Sequence, residues 1–338
     1  MTIKKSCIIA AVVTTIGMAS AAEESKASGF DLTGNIQTQA YKAFYDNEKE
    51  NTLDNFWFRA NIGGTYSSED FDAKVTIRMY APHFNGGADK FQADTYYGNY
   101  KWATSGLNLK LGHWKTDTEG AGNFGGYLDQ NLSKRGFLVR DYAHDAFELG
   151  WKMAGNQLNV MVGTDDGNFN KGYLRVNDDL KLGEALKLGL GYRANVLDPM
   201  QYSAVLTHVV DFRARYQVSK QLAVYAEAAA IMTGEDDEVN AASIEAGTAV
   251  KPLYSQDTQY FPVYGGVEFP TGGILDKAFA EVEYVANRDE LNADADELGW
   301  AVGLVKKIGS HGKIQATVYS ENKMSDVGFS ARLTTSIK

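Results

Sequence analysis

From Phe71 to Ala81 the chain reads FDAKVTIRMYA, with Phe71, Ala73, Val75, Ile77, Met79 and Ala81 alternating against Asp72, Lys74, Thr76, Arg78 and Tyr80. Successive side chains of a strand point to opposite faces, so this segment predicts a strand with one apolar and one polar face. The same period of two runs the length of the chain. In Phe30 to Tyr41 the even positions are Phe, Leu, Gly, Ile, Thr and Ala, and the odd ones Asp, Thr, Asn, Gln, Gln and Tyr. From Asn55 to Tyr66, Phe56, Phe58, Ala60, Ile62 and Tyr66 oppose Asn55, Arg59 and Asn61. From Ala204 to Val218 an apolar even face opposes Thr207, Asp211, Arg213, Arg215 and Gln217. Near the end, Val327, Phe329, Ala331, Leu333 and Ile337 oppose Gly328, Ser330, Arg332, Thr334 and Ser336. No stretch sustains an apolar stripe at helical spacing.

The alternation predicts sixteen strands, over 30–44, 52–66, 70–81, 94–104, 107–115, 145–153, 156–164, 172–181, 185–195, 203–217, 221–232, 258–269, 276–286, 297–307, 312–320 and 326–337. Such strands fit either a water-soluble sandwich, apolar face inward, or a membrane barrel, apolar face outward. The connections separate the two. YSSE, TSG, AGN, LGEA, VSKQ, PTGGILD and KIGSHG are short, whereas 82–93, 115–144, 233–257 and 287–296 are long, and the two kinds alternate. A barrel with both termini on one side has tight turns at that end and long loops at the other. A sandwich has no reason to sort its loops in this way. Strand lengths suit tilted crossings of a bilayer, which need roughly 9–11 residues. Phe30, Phe56, Tyr66, Phe71, Trp102, Trp114, Phe147, Tyr216, Phe261 and Phe269 fall near the ends of apolar faces, where interfacial girdles lie. The expected fold is all-β: a transmembrane antiparallel barrel of about sixteen strands, with short periplasmic turns and long external loops.

The first residues supply the compartment. Lys4 and Lys5 precede an apolar run from Cys7 to Met18, too short to span a bilayer, and Ala19-Ser20-Ala21 fits a small-residue cleavage site. Residues 1–21 are expected to be a secretory signal peptide and 22–338 a single barrel domain. The sole cysteine, Cys7, lies in that leader, so disulfides carry no stability in the exported chain. The formal net charge of −10 disfavours nucleic-acid binding. The polar faces nonetheless lean positive, and the excess acid lies in the loops, as in GEDDE at 234–238. The five histidines show no HExxH spacing, GSHGK at 309–313 lacks the phosphate-loop spacing, and no GxSxG occurs. His144 and Asp145 are adjacent and therefore point to opposite faces of a strand. No enzyme activity, cofactor or metal is expected. Tyr41, Tyr80, Tyr97, Tyr225, Tyr264 and Tyr319 fall on polar faces, either as a stacked path for sugars or as lumen-filling hydrogen-bonding groups.

LNLKLGHWKTDTEG (Leu107 to Gly120), followed after a long loop by DAFELGWKMAGNQLNVMVGTDDGN (Asp145 to Asn168), resembles Gram-negative outer-membrane porins of the sixteen-stranded type. The order is similar to general porins and to the phosphate-selective porin O and P group. One departure is the ending TTSIK, where that family usually carries an aromatic residue. The resemblance implies an aqueous channel for passive diffusion of small hydrophilic solutes and ions, or a sugar- or phosphate-favouring specific porin. It also implies a homotrimer in the outer membrane, among lipid and lipopolysaccharide. It implies that the third loop folds into the lumen, with Asp117, Glu119 and Asp129 facing Arg59, Lys74, Arg78 and Lys101 across a constriction. Lys110, Arg193, Arg213, Arg215, Glu281 and Glu283 are expected to line the pore. Mild anion preference follows from the basic lean of the lumen. A barrel-type surface or adhesion protein is the alternative of another class.

Overall fold

The computed structural model describes residues 28–44, 55–82, 90–115, 143–164, 172–195, 207–220, 222–233, 259–286, 288, 296–320 and 323–337. They form sixteen strands. The first eight are β1 (Gly29–Ala43), β2 (Asn55–Ser67), β3 (Phe71–Pro82), β4 (Lys90–Trp102), β5 (Leu107–Lys115), β6 (Ala143–Met153), β7 (Asn156–Thr164) and β8 (Gly172–Leu182). The rest are β9 (Leu186–Asn195), β10 (Thr207–Gln217), β11 (Ala223–Thr233), β12 (Gln259–Pro270), β13 (Lys277–Ala286), β14 (Leu298–Ile308), β15 (Gly312–Ser320) and β16 (Val327–Ile337). Each pairs antiparallel with its neighbours in sequence, and β16 pairs with β1 from Gly34↔Ile337 to Ala43↔Gly328. Closure leaves no strand edge with unpaired backbone groups.

Every connection from an even to an odd strand is short, at 68–70, 103–106, 154–155, 183–185, 218–222, 271–276 and 309–311. These turns share one end of the barrel with the start of β1 and the end of β16. Two of them need glycine. Gly155, in the two-residue turn after β6, has φ 77°, and Gly106 has φ 70°, both in the left-handed region. A Cβ on Gly106 would also lie 2.3 Å from the Lys152 carbonyl oxygen. The longest connection of the opposite end, 116–142, lies outside the described residues, as does its expected fold into the lumen.

The two faces of the wall are inverted relative to a water-soluble domain. Outward-pointing Leu111, Phe147, Leu149, Trp151, Leu190, Phe212 and Val302 are 41–57% exposed, while inward Gln39, Glu227 and Glu283 are at most 2% exposed. Aromatics gather at the outer rims. Phe30, Tyr216 and Phe269 lie at the turn end, with Tyr100 and Trp102 edge to face at 4.9 Å. Phe44, Phe91 and Tyr284 lie at the loop end.

Three details depart from simple alternation. β4 begins at Lys90 rather than at 94, because Thr76 pairs with Thr95 but Ile77 with Ala93, which makes Asp94 an extra residue. This bulge shifts the phase of the strand. Phe91 and Ala93 then share the outer face with Met79 and Ile77, and a strict period of two breaks at that point. Trp114, expected on the apolar outer face, instead points inward with Lys110 and packs on Met161, 4% exposed. Its parity from Lys110 places it there. The outer face also carries polar groups: Tyr192 Oη lies 2.9 Å from His208 Nδ1, and a larger cluster forms around Asp145. Asp145 sits across from His113 on β5, with Oδ1 2.8 Å from His113 Nδ1, and it accepts a hydrogen bond from Tyr96 at 2.9 Å.

Candidate functional site

The inward face carries charged and amide side chains that gather in two arcs. The first spans β2 to β5. Arg59 Nε donates to Gln37 at 3.1 Å. Arg78 Nε donates to Asn61 Oδ1 at 3.0 Å, and its guanidinium lies 2.6 Å from Asp94. The bulge in β4 is what brings Asp94 to that position. Lys74 stands between Thr65 and Tyr97 in register, half-buried. Lys101 Nζ meets Asp72 Oδ1 at 2.9 Å and donates to the Ser68 carbonyl at 2.8 Å. Lys110 Nζ lies over the rings of Tyr97 and Trp114, 4.3 and 4.1 Å from their centroids. Cations held over aromatic faces are attracted to the negative π surface.

The second arc spans β8 to β13 and includes the most deeply buried charges of the wall among the described residues. Arg175 and Arg193 are cross-strand partners, 2% and 6% exposed. Asp211 lies between arginines, 3.6 Å from Arg175 and 3.3 Å from Arg213, whose other nitrogen reaches Asp179 at 3.3 Å. Gly191 and Gly189 make room for this pair: a Cβ at Gly191 would meet Asp211 Oδ2 at 2.5 Å, and one at Gly189 would meet Arg213 Nε at 2.9 Å. Arg215 and Lys277 both reach Glu268 at 3.0 Å. Tyr225 donates its hydroxyl to Glu281. Tyr264 donates to Glu283 at 3.1 Å, and Arg288 Nη1 donates to the same carboxylate at 3.0 Å. Buried charges persist when an opposite charge or a donor compensates them, as Asp211 and Glu283 do for the arginines beside them.

In a closed ring of sixteen strands, β3 and β11 lie on opposite sides. The basic arc of Arg59, Lys74, Arg78, Lys101 and Lys110 therefore looks across the lumen toward Glu227 on β11, Glu268 on β12, and Glu281 and Glu283 on β13. Lys110, Arg193, Arg213, Arg215, Glu281 and Glu283 all lie on the inward face. Asp117, Glu119 and Asp129 lie outside the described residues. Several site groups escape a reading of the sequence. Asp94 falls in a bulge, and Arg288 stands outside any strand. Asp145 finds its histidine on the neighbouring strand rather than at His144, so only the register reveals the pair. Tyr225 and Tyr264 hydrogen-bond to lumen carboxylates. Outside the wall, in the turn between β12 and β13, Asp276 accepts the Lys307 backbone N–H at 2.6 Å. That bond, helped by Lys306 at 3.5 Å, holds its carboxyl below the usual range.

No protein-family model matches the sequence, and no curated protein matches it. The fold is similar to solved porins of Rhodopseudomonas blastica. An engineered triple variant of that porin superposes with a TM-score of 0.56 at 12% identity, over 91% of this chain and 100% of the porin. A second engineered variant of the same porin gives the same values. So does a structure described as asymmetric conductivity of engineered proteins. At this identity the likeness establishes the fold: a closed, sixteen-stranded antiparallel barrel of the porin type.

Proposed function

We propose that the chain is an outer-membrane porin, an aqueous channel for passive diffusion of small hydrophilic solutes and ions. The observation that carries this is the inversion of the wall: exposed aromatics and aliphatics outside, paired charge inside, around a barrel of sixteen strands. A barrel of that strand number encloses an aqueous channel rather than a packed core. Its exterior finds a suitable solvent only in lipid, and a closed barrel satisfies every backbone group there. The R. blastica likeness, in which the solved chain is a porin, supports the same reading.

In this reading residues 1–21 are a cleaved signal peptide and 22–338 form the barrel, the turns face the periplasm, and lipopolysaccharide surrounds the external rim. The protein assembles as a homotrimer. Arg59, Lys74, Arg78 and Lys101 form the basic side of a constriction, with Asp117, Glu119 and Asp129 on the third loop and the carboxylates of β11 to β13 opposite. Opposed charges across a narrow gap make a transverse field that sorts solutes by charge and polarity. The basic lean of the inward face gives mild anion preference.

Single-channel recording of the refolded mature chain in a planar bilayer tests this. Steady conductance in steps of three, with a reversal potential on the anion side in a salt gradient, is the expected result. A folded barrel without conductance would overturn the channel, and strong cation preference would overturn the selectivity.

A further inference from the structure

We infer that the lumen wall carries a binding subsite for neutral polyols of mono- or disaccharide size, on β4 to β7 near the turn end. The inference rests on the channel reading for solute access, and on its own geometry for the site.

A recess of about 480 Å³ opens there between the inward faces of β3 to β7. Small-molecule sites are typically roughly 300–1,000 Å³. Four carboxamides, Asn99, Asn108, Gln157 and Asn159, line it beside six charged side chains. Asn108 Nδ2 donates to Asn99 Oδ1 at 3.0 Å, and Gln157 Nε2 donates to Asn159 Oδ1 at 3.0 Å. The two amide pairs approach each other over Gly150. A Cβ there would stand 2.3 Å from Asn108 Oδ1 and 2.8 Å from Asn159 Oδ1, so the absence of a side chain lets both carbonyls converge above the strand. Among the described residues, no donor reaches Asn108 Oδ1, and the Asn159 amide nitrogen has no acceptor. The Asn108 carbonyl and the Asn159 amide N–H are therefore the open groups of the two amide pairs.

The charges bordering the recess decide the class of ligand. Lys101, Lys110 and Lys152 border it, and so do Glu69, Asp72 and Glu148, so the formal charge balances. Two of the cations are already engaged: Lys101 by Asp72 at 2.9 Å, and Lys110 by the rings of Tyr97 and Trp114. With three cations against three carboxylates, the rim offers no net formal charge to draw an anion or a cation. What remains is a set of neutral groups that both donate and accept. A hydroxyl does the same, so a solute dense in hydroxyls and without charge is the complement. Tyr97 has Lys110 on its ring, so recognition here runs through hydrogen bonds rather than stacking.

The test is interruption of ion current through the refolded full-length mature chain by D-glucose, maltose and glycine betaine. Glucose and maltose should interrupt the current in a saturable way, and betaine should not. The double substitution Asn108→Leu with Asn159→Leu should raise the half-saturating sugar concentration by about tenfold or more, the loss of roughly two hydrogen bonds. Its potassium chloride conductance should remain close to that of the parent. A conducting channel that sugar does not interrupt, or that the double variant leaves equally sensitive, overturns the inference, as does equal interruption by betaine. Equilibrium dialysis of the detergent-refolded protein against labelled glucose reads binding without a channel. A barrel that binds glucose but does not conduct would overturn the channel and keep the site. If the double variant does not refold, Asn108→Gln, which displaces the carbonyl while keeping its chemistry, supplies the same comparison.

Discussion

The two arcs of the lumen wall hold charge in different ways. On β2 to β5 the cations are half-exposed: Arg78 and Lys101 keep 27% and 30% of their side-chain surface open, and each meets a carboxylate at the water boundary. On β8 to β13 Arg175, Glu227 and Glu283 are at most 2% exposed, and Glu283 accepts from the Tyr264 hydroxyl and from the equally buried Arg288 beyond β13. A charge facing water can lose its partner and be resolvated. A buried one cannot, since the cost of leaving it uncompensated exceeds the worth of the pair. The first arc is therefore suited to act on passing solutes, and the second to hold the wall together.

The largest test of this contrast is Glu283→Ala. It strips Arg288 and Tyr264 of a shared acceptor and should lower stability by about 3–5 kcal/mol, read as a fall in the temperature at which the heat-modifiable barrel unfolds. If Arg78→Ala costs as much, the contrast is wrong. Tyr225→Phe comes next. Losing its hydrogen bond to Glu281 should cost about 1–3 kcal/mol in the same assay, because a buried acceptor is left short of its partner.

Neutralising the first arc should do the reverse. Arg59→Gln, Lys74→Gln, Arg78→Gln and Lys101→Gln together should shift the reversal potential in a salt gradient clearly toward cations. Each should cost no more than about 1 kcal/mol of stability, as for exposed pairs. An unchanged reversal potential would remove this arc from the constriction. The smallest effect belongs to the turn between β12 and β13. The Asp276 carboxyl titrates lower in the folded protein than in the unfolded chain, so its contribution is present above the ordinary carboxylate range. It is lost as pH falls through the lower folded value. Asp276→Asn should leave thermal stability at neutral pH nearly unchanged apart from that small contribution. It should flatten the acid limb of the stability profile below about pH 4.

How the sequence relates to this wall can be judged at particular residues. Arg213 and Arg215 could be assigned to the inward face from alternation alone, because lipid-facing and water-facing positions follow the pleat. Asp94 could not, since a bulge changes the phase without leaving a mark in composition. Trp114 shows a different failure: its aromatic character suggested a girdle, while its parity with Lys110 placed it inside. The pairing of Asp145 with His113 depends on which residues lie opposite each other in neighbouring strands, and period two is silent on that.

The sequence by itself determined the strand number, the sorting of short and long connections, and the face on which nearly every charge lies. These follow from local rules: the period of the pleat, the turn preference of glycine, and the transfer cost of polar groups. The tertiary structure alone decided which charges meet. The closure of β16 on β1, the register of each pair and the bulge in β4 bring Asp94 to Arg78, Asp211 to Arg175, and Glu268 to Arg215. Contacts between residues distant in sequence depend on the stagger of the whole barrel, and no local stretch of the chain encodes that stagger.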